Sequence, residues 1–168
     1  MGQRQSFWEK DYVHIVIKIF QNRIEFFLRD YKARDDATSI FETVVVQHKN
    51  IDKITRLNCS DKLEIVFEED IPIDYCKQLH NLLVNSKPKS LYITILEQNN
   101  ALEYFLAYLN MDKMDKIVVW NNVDNNASYY DILKALSVKI GACLMYTSRI
   151  DKRTEKTQTF FPEDEIED

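Results

Sequence analysis

The chain has 168 residues, 45% apolar and 29% charged, with 22 basic and 27 acidic side chains and a formal charge of −5. That is the length of one domain able to bury its own core. Its only glycines are Gly2 and Gly141, which excludes phosphate-cradling loops, the dinucleotide fingerprint and the nucleophile elbow, because each needs glycines at fixed spacings.

Residues 1–11 carry no apolar stretch of the signal-peptide kind and are expected to be flexible. From Tyr12 to Phe20, Val13, Ile15, Ile17 and Ile19 alternate with His14, Val16 and Lys18, a period of two. Gln21-Asn22-Arg23 breaks it, and Ile24, Phe26 and Leu28 resume it, so the two runs predict an antiparallel hairpin. Asn22 is expected to take the left-handed turn position. Residues 31–39 are polar, with Asp35-Asp36, and read as a loop. Phe41 to Gln47 is the third predicted strand, and Ile54 and Leu57 suggest a short fourth within 51–57.

From residue 62 strands alternate with helices. Leu63 to Phe67 is a strand. Asp70 is a candidate cap and Pro72 suits a first turn, ahead of Tyr75, Leu79, Leu82 and Leu83 at helical spacing. Leu91 to Ile95 is a strand. Asn99 or Asn100 caps a helix holding Leu102, Phe105, Leu106 and Leu109. Lys116 to Trp120 is a strand, Asn126 or Ser128 caps a helix with Ile132, Leu133 and Leu136, and Val138 to Tyr146 reads as a last strand with Gly141 inside it.

Strand starts at Leu63, Leu91 and Lys116 are 28 and 25 residues apart, and Ala142 follows 26 later. That is the spacing of leucine-rich-repeat-like arrays, in which one βα unit cannot bury its apolar face alone but stacked units share a core. An open α/β sheet without repeat ancestry fits the same spacing. The expected fold is therefore a mixed α+β and α/β one. An N-terminal antiparallel β-hairpin layer (12–58) precedes about three βα units with parallel strands (62–147), in one domain over 12–150. Residues 151–168 are expected to be a disordered acidic tail, ending in Glu163, Asp164, Glu165, Glu167 and Asp168. Without those five acids the body is neutral, so nucleic-acid binding through clustered cations is disfavoured.

Cys59, Cys76 and Cys143 are odd in number and scattered, as in a reducing compartment, cytosol or nucleus. No apolar run reaches the ~18–20 residues of a membrane span. Cys76 and His80 share a helix face, but no second ligand pair completes a metal site. Asp35-Asp36 and Glu68-Glu69-Asp70 read as hydrated loops rather than catalytic pairs. Nothing calls for an enzyme, a metal or a cofactor.

The alternation leaves two strand faces. Leu63, Ile65, Phe67, Leu91, Ile93, Ile95, Ile117 and Val119 point to the helices. Glu64, Val66, Tyr92, Thr94, Val118 and Trp120 point away and are the candidate partner-binding residues. They form an open stripe unless the hairpin or the C-terminal segment covers it. Tyr and Trp are the residue types that anchor partners.

Residues 89–124, KSLYITILEQNNALEYFLAYLNMDKMDKIVVWNNVD, resemble the FTH domain of nematode F-box-associated proteins. Tyr92-Ile93-Thr94-Ile95 matches that family's first strand. Phe105-Leu106-Ala107-Tyr108-Leu109 stands at its "LPYL" stretch, with Ala107 for proline, and Met114 to Val119 matches its second strand. The 13–30 segment is similar to the hairpin that precedes the domain. The F-box and the family's "EQW" motif are absent. The resemblance implies a recognition module. The expected function is therefore a non-enzymatic protein-interaction module that binds another protein through the outward strand face. The alternatives are a small ligand-binding or enzymatic α/β domain, with its pocket beyond the strand ends near Glu68, Leu96, Asn121 and Asn122, and an RNA-binding sheet of exposed aromatics.

Overall fold

The computed structural model describes residues 8, 10–30, 42–54, 56–123, 129–149, 151 and 153–165. The chain builds one mixed sheet of eight strands: β1 (Asp11–Ile19), β2 (Arg23–Asp30), β3 (Glu42–Gln47), β4 (Asn58–Phe67), β5 (Ser90–Ile95), β6 (Lys116–Asn121), β7 (Cys143–Arg149) and β8 (Glu155–Phe160). Their order across the sheet is β3-β2-β1-β4-β5-β6-β7-β8. The outer pairs β3–β2, β2–β1 and β7–β8 are antiparallel, and β1, β4, β5, β6 and β7 run parallel. Helices α1 (Ile73–Leu83), α2 (Leu102–Tyr108) and α3 (Tyr130–Ile140) make the crossovers between β4, β5, β6 and β7 and pack side by side in order.

The predicted hairpin does not form a layer of its own. It extends the sheet, with β1 pairing parallel to β4 from Asp11 opposite Asn58 to Ile19 opposite Phe67. This covers an edge of β4 that would otherwise be open to strand addition. The hairpin turn closes with Phe20 N–H donating to the Arg23 carbonyl at 3.0 Å. No described residue other than glycine has a positive φ, so Asn22 is not left-handed. A turn of negative-φ residues suffices, and the Asn22 carbonyl accepts the His48 N–H at 3.0 Å.

Period-two alternation decides which strand face is buried. Ile15, Ile17 and Ile19, Ile24, Phe26 and Leu28, Leu63, Ile65 and Phe67, Leu91, Ile93 and Ile95, and Ile117 and Val119 all lie on the helix side at 1% exposure or less. They meet Tyr75, Leu79 and Leu83 of α1, Phe105 and Leu106 of α2, and Leu133 and Leu136 of α3. Phe67 and Phe105 touch edge to face, with ring centroids 5.0 Å apart.

Several local expectations change. Residues 48–53 are a 3-10 turn rather than part of a fourth strand. Ile51 is buried within that turn, and Ile54 and Leu57 are buried in the chain that follows it. Asp70 does not cap α1; Pro72 holds the cap position and its carbonyl accepts the Tyr75 and Cys76 N–H groups. Asp70 instead accepts hydrogen bonds from Asn100, backbone N at 2.8 Å and Nδ2 at 3.0 Å, tying the top of β4 to the top of β5. Asn99 makes the turn before α2, its Oδ1 accepting the Ala101 N–H at 2.9 Å. Asn126, Ser128 and Asp35-Asp36 lie outside the described residues.

Gly141 does not relax a strand. It stops α3 with φ +76°, the left-handed value that suits a residue without Cβ. The N–H groups of Gly141 and Ala142 both donate to the Ser137 carbonyl, at 2.8 and 3.1 Å. At the N-terminus, Trp8 packs edge to face on Phe26, centroids 4.9 Å apart, so part of the segment expected to be flexible belongs to the fold. At the C-terminus, residues 155–160 of the expected tail are β8. Phe160 fills the core at 3% exposure, opposite Leu144. The polar run around it hid this strand, because an edge strand with a solvated face needs few apolar residues. Residues 166–168 lie outside the described part.

Candidate functional site

The six candidate residues come together as two rows of three. Glu64 faces Tyr92 and Tyr92 faces Val118; Val66 faces Thr94 and Thr94 faces Trp120. All lie on the sheet face opposite the helices. Five are half-buried, and Trp120 is 38% exposed. The rows extend in register beyond those expected from sequence. Val118 faces Met145, itself 39% exposed, and Trp120 faces Thr147. On the other side Glu64 faces Val16 and Val66 faces Lys18. Neither the hairpin nor the C-terminal strand folds over this face, because both continue the sheet at its two ends.

A third row lies one side-chain step toward the start of the parallel strands. Arg29 faces His14, His14 faces Lys62, Lys62 faces Ser90, Ser90 faces Lys116 and Lys116 faces Cys143. Its residues are not among the six candidates, although stepping back by two from Glu64 and Val118 reaches Lys62 and Lys116. What sequence alone withheld was the register that aligns them with Arg29 and His14 from another part of the chain.

The three rows interact. His14 Nε2 lies 2.5 Å from Glu64 Oε2, and Lys62 Nζ lies 3.6 Å from the same oxygen. Lys62 Nζ sits 4.4 Å from the centre of the Tyr92 ring and Lys116 Nζ 5.4 Å. The Tyr92 hydroxyl, beside Lys116, raises that ammonium above its ordinary value. Lys18 Nζ lies 5.1 Å from the Phe27 ring centre. So the half-buried rings of Tyr92 and Phe27 have two and one lysine ammonium groups over them, whereas Trp120 has Thr94 and Thr147 as its strand neighbours.

The other candidate chemistry is absorbed by the fold. Cys76 is fully buried, and burial pushes its thiol up to about 12. His80 Nε2 is 3.0 Å from the Phe105 carbonyl, and burial lowers its pKa. Burial also pushes the Cys59 thiol up to about 11. Among the described residues no group of three or more His, Cys, Asp or Glu side chains is placed to hold a metal ion. At the carboxyl ends of the strands, Asn121 is 2% exposed, its Nδ2 donating to the Tyr146 hydroxyl at 3.2 Å and its Oδ1 accepting the Val123 N–H at 3.2 Å. One depression at that end is lined by Gln21, Asp70, Pro72, Ile73 and Asn100, and Glu68, Leu96 and Asn122 are not among its lining. Among the described residues no helix is long and apolar enough to cross a membrane.

Comparison with known proteins finds no matching family model, no matching curated protein and no matching solved structure.

Proposed function

We propose that the chain is a non-enzymatic protein-interaction module that binds another protein through the strand face carrying Glu64, Val66, Tyr92, Thr94, Val118 and Trp120. One observation carries this reading: five parallel strands have helices on one face, and among the described residues nothing packs over the row of partly apolar side chains on the other. Parallel sheets are almost always covered on both faces. The open arrangement recurs in leucine-rich-repeat-like arrays, which bind partners on their strand face. The in-register positions Leu63, Leu91, Ile117 and Leu144, spaced by 28, 26 and 27 residues, support reading β4 to β7 as units of that kind. The resemblance of 89–124 to the FTH domain points the same way, toward a recognition module, and the scattered cysteines point to the cytosol or nucleus. A pocket function has less behind it, since Asp70 and Asn121 at the strand ends are already engaged.

The test places a photo-reactive residue at Thr94, on the open face, or at Tyr108, on the helix face and 63% exposed. Cross-linking from 94 and not from 108, lost in Trp120→Ala with the fold retained, is the expected result. If Trp120→Ala unfolds the domain, the stripe is core and the reading fails.

A further inference from the structure

The open face is not uniformly apolar, and its pattern specifies a partner. The row of Arg29, His14, Lys62, Ser90, Lys116 and Cys143 contains no carboxylate. The chain as a whole is acidic, at −5. Adjacent strands are about 4.8 Å apart, so Arg29 on β2 and Lys116 on β6 lie roughly 19 Å from each other across the sheet. The next row, about 6.6 Å along the strands, offers Val16, Glu64, Tyr92, Val118 and Met145. A cationic row thus runs beside a mostly apolar one, whose single carboxylate, Glu64, answers His14 and Lys62 and leaves the row's charge in excess at Arg29 and Lys116.

Resting on the reading above, we infer that the face receives an acidic protein segment, with its carboxylates on Arg29, Lys62 and Lys116 and its apolar side chains on Val118, Trp120 and Met145. Charge complementarity favours anions on the first row. Ring geometry favours protein over single-stranded nucleic acid. Sequence-tolerant nucleic-acid binding stacks bases on free aromatic faces, and the rings of Tyr92 and Phe27 have lysine ammonium groups over them. Of the three apolar contacts, Val118 and Met145 are not aromatic, which suits Leu, Val or Phe side chains better than a run of stacked bases.

The experiment selects a displayed library of random peptides, each long enough to cross five strands at about 3.3 Å per residue, on the intact chain. Clones are then measured by fluorescence anisotropy against the wild type, Trp120→Ala, Lys62→Glu/Lys116→Glu and the neutral Lys62→Gln/Lys116→Gln. Circular dichroism checks that each variant folds. The expected clones combine Asp or Glu with apolar residues. They weaken as salt is raised, by about tenfold or more in the charge-reversed variant, and less in the neutral one. Clones that need Trp120 but are not acidic and ignore both lysine variants overturn this inference and leave the interaction reading intact. Clones indifferent to Trp120 overturn both. A uridine oligonucleotide that binds in a Lys62- and Lys116-dependent way, more tightly than any peptide, also overturns it, in favour of nucleic acid.

Discussion

Val118 and Val119 are the same residue type, adjacent in β6, with opposite surroundings. Val119 is fully buried against the helices, and Val118 is half-buried on the open face between Tyr92 and Met145. Replacing valine with alanine removes two carbon atoms. At about 0.8 kcal/mol per buried methylene, Val119→Ala loses about 1.6 kcal/mol in transfer free energy. The cavity left between sheet and helices adds to this, giving a total near 2 kcal/mol. Val118→Ala loses about half the transfer free energy, near 0.8 kcal/mol, and leaves no closed cavity. The lower strand propensity of alanine enters both variants alike and cancels in the comparison. The assay is equilibrium unfolding in urea. With an m-value of about 2 kcal/mol per molar, the midpoint of Val119→Ala falls roughly 0.6 M further than that of Val118→Ala. Equal losses would mean that the strand face is covered, and the reasoning behind an open binding surface would be refuted.

Three further outcomes follow from the local geometry. Gly141→Ala places a side chain at φ +76° and is expected to destabilise by about 1–2 kcal/mol. An unchanged thermal midpoint would refute the left-handed stop. In the native protein at pH 8, Cys59 and Cys76 are expected to resist a thiol reagent, because burial holds them protonated at about 11 and about 12. The half-exposed Cys143 reacts, so a native titre of one against three in denaturant is the check. His80 has a pKa lowered by burial, so the unfolded chain binds its proton first. Its contribution to stability is complete above the ordinary value of 6.5 and falls as pH drops below it. The stability difference between wild type and His80→Gln should therefore shrink on acidification from pH 7.5 to 5. A difference constant over that range would remove His80 as its source.

The amino-acid sequence by itself determined the strands, the helices and the two sides of each strand. These are local quantities: a period of two or near 3.6, set by the backbone and read within a few residues. They placed Leu63, Ile65 and Phe67 in the core and Glu64, Val66, Tyr92 and Trp120 away from it, and the residues obey. Local signals misled where chemistry had a distant partner. Asp70 has the composition of a cap, yet it holds Asn100, 30 residues away. Gly141, in an apolar run, reads as strand until the φ of one residue shows a helix ending. The polar run 155–160 reads as tail until it finds the free edge of β7.

Only the tertiary structure decided what the outward face is. Sheet order placed the hairpin and β8 at the two ends of the sheet instead of over its surface, so among the described residues no strand or helix covers that face. Register then put Arg29 and His14 in line with Lys62 and Lys116. A chain that reads as electrically neutral along its body thereby gathers cations into one row. Register is a property of pairing between distant strands, and no local period encodes it. With only two glycines, the sequence excluded a phosphate loop. The alignment of five strands turned the remaining charges into a surface with a preference.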